Sequence, residues 1–269
     1  MEIPKRISHK DLSKFQQHTH VTKVLDSIIE QTEELFLIRN PQFKFNQNYT
    51  DELSKFRNTL FPTRERSDEY GEWFYFPWNG IVAHFLPENE WYELRTARNR
   101  DLISIEEQEN FRNLTIGIAG LSVGSHIALT ISMMGGSKNM VLADPDTVGP
   151  SNLNRIRATA LDIGINKAIV TAQQIYQIDP YANIVVLENG VDESDISSFF
   201  EQLPLGLLIE ETDKLSLKVK LREEARKRRV PVVMGTDNGD GAIIDVERYD
   251  LHNNLQIFNG LIGDITSES

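Results

Sequence analysis

Residues 114 to 144 limit the fold more than any other stretch. Leu114 to Ala119 is an apolar run of strand length, and the small-residue turn Gly120-Leu121-Ser122-Val123-Gly124-Ser125 follows it. His126 to Met134 is again apolar, now of helix length, and a second short run, Asn139 to Ala143, ends at Asp144. Strand, tight turn, helix and strand in that order are the layout of a dinucleotide-binding βαβ unit. In such units an acidic residue about 20 residues past the glycine turn holds ribose hydroxyls, and Asp144 stands where that residue is needed. The glycine pattern itself is degenerate. A G-x-G-x-x-G turn would place glycines at 120, 122 and 125, where this chain has Gly120, Ser122 and Ser125, with an extra Gly124. Serine is small enough to let a phosphate approach the backbone, and the helix start still offers amide donors to an anion.

Composition removes several chemistries. The 269 residues contain no cysteine, so a disulfide, a thiolate zinc site, a thioester intermediate and a cysteine nucleophile are all excluded. The six histidines show no His-Glu-x-x-His spacing. A net charge of −12 argues against a broad nucleic-acid footprint. No apolar run approaches membrane-spanning length, and no apolar segment follows Met1-Glu2-Ile3-Pro4-Lys5-Arg6, so we expect a cytoplasmic protein without a membrane partner.

The chain divides near residue 105. Before it we expect a helical and β-hairpin region, 1–104. Val21 to Leu37 carries apolar residues at near-helical spacing and predicts one helix, broken at Asn40-Pro41. Glu72 to Phe76 and Ile81 to Phe85 predict a hairpin, whose aromatic residues Trp73, Phe74, Tyr75, Phe76 and Trp78 read as core packed against the first helices. From 105 to 269 strands alternate with helices: strands at 114–119, 139–143, 183–188, 205–210 and 231–234, and helices at 125–134, 166–178, 194–202 and 214–229. Alternation of this kind predicts an α/β fold with a doubly wound, Rossmann-like, mostly parallel sheet whose strand ends form the ligand edge. Asn238-Gly239 and Asp240-Gly241 predict a turn into an antiparallel strand. Arg226 to Arg229 reads as the cationic last turn of a helix.

The chemistry-bearing residues fall at those strand ends. Asp144 ends the second strand, Asn152 and Arg155 follow it, Lys167 opens the next helix, and Glu210-Glu211-Thr212-Asp213 follows a later strand. One acid can hold a ribose, Arg155 and Lys167 can neutralise a triphosphate, and Asp213 can hold Mg²⁺, which favours carboxylate and phosphate oxygens. Two other readings use part of this set. Gly120-x-Ser122-x-Gly124 also spells a nucleophile elbow, with Asp213 and His252 as partners, but leaves the Asp144–Arg155 loop unexplained. An NAD-dependent oxidoreductase would use the βαβ unit and Asp144, yet gives no reason for Asn152, Arg155, Lys167 and Asp213 to converge.

With these residues in hand, the chain resembles the ThiF/MoeB-type adenylating family, related to ubiquitin-activating enzymes. The resemblance runs from about Arg98 through Tyr249. Its most specific part is Asp144-x-Asp146-x-Val148-x-x-Ser151-Asn152-Leu153-Asn154-Arg155, followed by Lys167 and Thr212-Asp213. It implies an ATP- and Mg²⁺-dependent adenylyltransferase that activates a carboxylate as an acyl-adenylate. By resemblance the turn at Gly120, Ser122 and Gly124 and Asp144 bind nucleotide, Asn152, Arg155 and Lys167 contact phosphates, and Asp213 coordinates Mg²⁺. Asn99-Arg100 resembles the segment that supplies an arginine across a dimer interface, so a homodimer is implied. The implied acceptor is a sulfur-carrier or ubiquitin-like protein C-terminus, with a modified tRNA nucleoside or a small acid as alternatives. Tyr75-Phe76-Pro77-Trp78, Glu210 to Asp213 and Asp245 to Leu251 further resemble long bacterial proteins that join such a domain to a nitroreductase-like domain. Only 56 residues follow Asp213, which leads us to expect that part of the usual acceptor-binding region is missing. The degenerate turn, the short C-terminal part and the absence of cysteine also fit a second expectation, a nucleotide-binding or scaffold module of the same fold without turnover.

Overall fold

In the computed structural model, which describes residues 1–61, 63–261 and 263, the chain divides into two units, Met1–Ser104 and Ile105–Ser269. The first contains β1 (Lys5–Ile7), α1 (His9–His18), β2 (Lys23–Asp26), α2 (Ile28–Arg39), α3 (Tyr49–Leu60), β3 (Glu72–Phe76), β4 (Ile81–Phe85) and α4 (Glu88–Thr96). Its sheet has the order β1-β3-β4-β2. The hairpin β3–β4 is antiparallel, with Trp73 opposite His84 and Tyr75 opposite Val82. Trp73, Tyr75 and Val82 pack with Ile7, Leu12 and Phe15, while Ile28, Leu35 and Leu86 form a second cluster. Trp73 to Phe76 are therefore core, whereas Trp78, in the turn between the strands, is only partly buried.

The single helix expected over Val21 to Leu37 is a strand followed by a helix. Lys23–Asp26 pairs in parallel with β4, from Lys23 opposite Ile81 to Asp26 opposite His84. Asp26 marks the change, since its Oδ1 accepts from the Ile28 amide at 3.2 Å and lies 2.9 Å from His84 Nδ1. Val24 and Leu25 suit a strand at least as well as a helix, and here the open edge of β4 decides between them. Gln31 then bonds α2 to the sheet, donating to the His84 carbonyl and accepting from the Leu86 amide.

The second unit contains α5 (Ile105–Asn113), β5 (Thr115–Ala119), α6 (Val123–Met133), β6 (Asn139–Ala143), α7 (Lys167–Ile178), β7 (Asn183–Leu187), α8 (Ile196–Glu201), β8 (Leu207–Glu210), α9 (Leu215–Arg228), β9 (Val232–Asn238) and β10 (Gly241–Glu247). The sheet order is β10-β9-β8-β5-β6-β7. Every pairing from β7 to β9 is parallel, and β10 adds antiparallel to β9. This is the doubly wound, mostly parallel arrangement that strand–helix alternation predicts. β9 runs four residues beyond the expected end at Met234, because the partner strand β10 supplies its hydrogen bonds as far as Asn238.

Side chains alternate across this sheet. Ala119, Val141, Ala143, Leu208 and Val232 share one cluster with Phe199 and Phe200 of α8 and Leu221 and Ala225 of α9. Each large apolar side chain buried in this way contributes about 1.5–3 kcal/mol. Gly117 faces the same layer, where a Cβ would come within 2.6 Å of Leu205 Cδ1. The order of chain entry reverses at β5, whose neighbours are β6 and β8. A crevice therefore opens at the carboxyl ends of β5 and β8, the place where sheets of this type take ligands. Among the described residues no helix is long and apolar enough to cross a membrane.

Candidate active site

The crevice is built first from Gly120. It leaves β5 with φ +89°, and a Cβ there would fall 2.3 Å from the Glu211 carbonyl oxygen. Only glycine lets the turn after β5 lie this close to the segment after β8. Gly124 serves packing instead: a Cβ on it would meet Ile118 Cγ2 at 2.8 Å, so its smallness seats α6 on β5.

Asp144 fixes the turn from the next strand. It is buried, at 4% exposure; its Oδ2 accepts from the Leu121 amide at 2.6 Å and its Oδ1 from the Asp146 amide at 2.8 Å. Burial pushes its carboxyl above the ordinary aspartate value, against the pull of those two amides and of Lys167. Lys167, the first residue of α7, is also buried. Its ammonium donates to Asp146 Oδ2 at 2.9 Å and to Ser122 Oγ at 3.4 Å, and stands 3.9 Å from Asp144 Oδ1. The cation thus spans the turn after β5 and the loop after β6.

Asn166, which sequence reasoning missed, positions that lysine. Its amide group donates to the carbonyls of Asp144 and Glu188, beyond the ends of β6 and β7. Its Oδ1 accepts from the amides of Ala168 and Ile169 and caps α7. The signal was available as an N-cap residue directly before a helix of apolar periodicity.

The far wall comes from the segment after β8. Glu211 is half-buried, and its Oε1 accepts from the Gly235 amide at 2.7 Å. Burial raises its carboxyl from 4.5 to about 7; the neighbouring Glu210 adds to the shift, and the Gly235 amide, Lys218 and Arg222 oppose it. Asp213 and Lys214 follow, both exposed, and Lys214 pairs with Glu193.

The structure brings Gly120, Ser122, Asp144, Lys167 and Asp213 to the lining of one cavity of about 320 Å³, together with Asp146, Glu193, Glu211 and Lys214. Gly124, Asn152 and Arg155 do not line it. Asn152 Oδ1 accepts from the Gly149 amide at 2.9 Å, and Arg155 Nη1 donates to the Ser151 carbonyl and to Asn154 Oδ1. Both residues shape the 149–156 loop. Arg100 belongs to the other unit, where it donates to the Ile38 carbonyl and pairs with Glu93 at 3.2 Å. No histidine lines the cavity, so the Ser122 elbow finds no base there.

Among the described residues, five carboxyl groups and two ammonium groups line this space. A polyphosphate would meet net negative charge there unless a cation accompanied it. Among the described residues no three His, Cys, Asp or Glu side chains form a cage for a metal ion. The donor set instead suits an ion such as Mg²⁺, commonly bound through one or two carboxylates plus substrate phosphates.

The ThiF family model matches residues 96–252. Uncharacterized protein MT1398 of Mycobacterium tuberculosis is 37% identical over 230 residues, which make up 85% of this chain and 32% of that protein. The tRNA threonylcarbamoyladenosine dehydratase of Bacillus subtilis is 29% identical over 146 residues, covering 53% of this chain and 57% of its own length. Among solved structures, the E. coli tRNA N6-threonylcarbamoyladenosine dehydratase in complex with ATP shares 25% identity and a TM-score of 0.52, over 55% of this chain and 62% of that one. The chain spans less than two thirds of the length of each of these relatives.

Proposed function

The chain belongs to the ThiF family, and from that premise we propose that its crevice binds ATP with Mg²⁺ and activates a carboxylate as an acyl-adenylate. The observation that carries this reading is the meeting of Gly120, Ser122, Asp144, Lys167 and Asp213 around one cavity at the reversal point of the sheet.

An acceptor carboxylate oxygen attacks the α-phosphorus. The bond from that phosphorus to the bridging oxygen breaks, and pyrophosphate leaves with the electron pair. The protein's work is placement and charge compensation. Lys167, held between Asp146 and Ser122, faces the phosphates. The amides at the start of α6, beyond the Leu121 amide that Asp144 holds, donate to them. Asp144 keeps that turn in place and presents the edge where a ribose docks. Asp213 would hold Mg²⁺, which when bound would supply Lewis-acid neutralisation of the phosphate oxygens. Asn152 and Arg155 reach the phosphates only if the 149–156 loop exchanges its internal bonds for ligand, and Arg100 acts across a homodimer.

The acceptor is a molecule with a free carboxylate. A sulfur-carrier or ubiquitin-like C-terminus is the first candidate. The B. subtilis and E. coli relatives are named for a modified tRNA nucleoside, which makes such a nucleoside the second. A nitroreductase-like domain in a longer chain stays with the sequence resemblance alone.

ATP–pyrophosphate exchange with candidate carboxylates is the test. Exchange that survives in both Arg155→Ala and Lys167→Ala removes the site assignment. A second reading, a nucleotide-binding module without turnover, is favoured by the engagement of Arg155 and Asn152 within their own loop. Calorimetry separates the two: ATP binding without exchange for any carboxylate favours the module. Titrating NAD beside ATP decides against or for an oxidoreductase.

A further inference from the structure

Three ionisable side chains are wholly buried beside the cavity. Glu210, Arg222 and Glu247 each show 0% exposure. Arg222, on α9, donates through Nη1 to Glu210 Oε2 at 2.5 Å and through Nε to Glu247 Oε2 at 2.6 Å. Its guanidinium lies 4.1 Å from the Phe258 ring centre. Lys218, one turn earlier, reaches Glu210 Oε2 at 3.2 Å. Glu247 Oε1 in turn accepts from the Tyr249 hydroxyl and the Phe258 amide, both at 2.7 Å.

Such a cluster is hard to explain by stability. Desolvating these charges costs several kcal/mol per ion, and well-packed apolar residues of similar volume often serve a core equally well or better. The geometry offers a different reason. Glu210 is the last residue of β8, and its Oε1 turns back to accept from both the amide of Thr212, at 2.8 Å, and its hydroxyl, at 2.6 Å. Thr212 and Asp213 line the cavity. The turn that carries Asp213 is therefore held by a carboxylate whose other oxygen is locked by Arg222, and Arg222 is locked by Glu247 beneath the 249–258 segment.

We infer that Thr212, Glu210, Arg222 and Glu247 form a positioning relay that sets where Asp213 meets the metal–nucleotide, and that couples the 249–258 segment to the same point. This rests on the reading that Asp213 serves Mg²⁺–ATP. Thr212→Val keeps the side-chain shape and removes the hydroxyl donor, whereas Thr212→Ser keeps the donor. Tyr249→Phe removes a bond at the far end of the relay. None of these changes touches Asp213, Lys167 or Asp144.

The experiment titrates Mg²⁺ against ATP binding to the full chain by calorimetry, with circular dichroism melting in parallel. Thr212→Val is expected to raise the Mg²⁺ half-saturation about five- to tenfold, the scale of one typical hydrogen bond. Thr212→Ser is expected to restore it to within about twofold, and Tyr249→Phe to shift it in the same direction by a smaller factor. ATP binding in excess chelator should be the same in all four proteins, a pattern that a purely structural role would not give. If wild type binds Mg²⁺–ATP and folded Thr212→Val and Tyr249→Phe titrate like it, the relay is overturned while the site reading stands. If Thr212→Val does not fold, Tyr249→Phe alone decides. If wild type shows no Mg²⁺-dependent ATP binding, the site reading fails and the relay with it.

Discussion

The Leu121 amide donates to Asp144 Oδ2 across 2.6 Å, tying the turn after β5 to the end of β6. Both oxygens of Asp144 are engaged by backbone amides, so this acid is a part of the turn before it is a ligand for anything else. Asp144→Asn would point an amide donor at one of those N–H groups. We expect a stability loss of about 1–3 kcal/mol, the cost of leaving a buried donor unmet. Urea denaturation of the ligand-free protein measures it. An unchanged midpoint would show that Asp144 serves the ligand alone.

Three glycines give a graded test of the crevice. Gly120→Ala combines a left-handed φ with a Cβ 2.3 Å from a carbonyl oxygen, which cannot move without shifting β8. Gly124→Ala meets only side chains, the nearest being Ile118 Cγ2 at 2.8 Å, and Gly164→Ala has a positive φ but nothing within 4 Å. Expected losses are more than about 3 kcal/mol for the first and about 1 kcal/mol for each of the others. Equal losses across the three would contradict the close approach of the two turns.

The edge of the sheet was legible because strand ends announce themselves by composition. An apolar run that stops at Asp144, and another that stops at Glu210, place their next residues on one side of a parallel sheet whatever the details. The conformation of the loops between was not legible. Arg155 and Asn152 satisfy their own loop, an arrangement set by φ and ψ over 149–156 that no periodicity encodes. Lys23–Asp26 fits a helix by sequence because Val24 and Leu25 suit both periods, and only the open edge of β4 makes it a strand. Glu211 was legible as part of the run that follows a strand, but the burial that raises its carboxyl was not, because that burial is a property of the fold.

Glu211 predicts a pH dependence. Its carboxyl is raised by burial from 4.5 to about 7, so its protonated form is the one the fold favours. The stability it contributes is complete below about pH 4.5 and is lost as pH rises through about 7. Glu211→Gln stays neutral throughout. Relative to wild type it should therefore gain stability steadily between those two values, and hold a constant difference above them. Parallel denaturation curves at pH 5 and pH 8 with the same difference would show that Glu211 titrates normally.

Lys167 predicts a loss in the chemical step. It is buried, and Asp146 with Ser122 fixes its ammonium at the cavity. Lys167→Ala should lower pyrophosphate exchange about 10²- to 10³-fold, the usual scale for removing one preorganised charge-stabilising donor. Lys167→Met keeps most of the packing and should lose as much. If Lys167→Met retains activity that Lys167→Ala lacks, the side chain matters for packing and its charge does not.

Arg100 decides the assembly. Within its own unit it makes a partly exposed pair with Glu93 and one bond to the Ile38 carbonyl. An exposed pair of this kind is worth about 0–1 kcal/mol, so a triphosphate offered by a partner chain can draw the guanidinium away at little cost. If Arg100 works across a homodimer, Arg100→Ala and Asp213→Ala are each inactive in exchange. Mixed in equal amounts and allowed to re-pair, they form dimers of which about half are heterodimers, as random pairing of a C2 assembly requires. Each heterodimer holds one site with both residues intact and one with neither. The mixture should therefore recover about a quarter of wild-type exchange per chain, with no recovery when the two variants are kept apart. Glu93→Ala should leave exchange intact, because it frees Arg100 and costs Arg39 one of its two carboxylate partners while Glu90 remains. Failure of the mixture to recover, or a monomer by light scattering at assay concentration, withdraws the trans role and leaves Arg100 as part of the Glu93 pair.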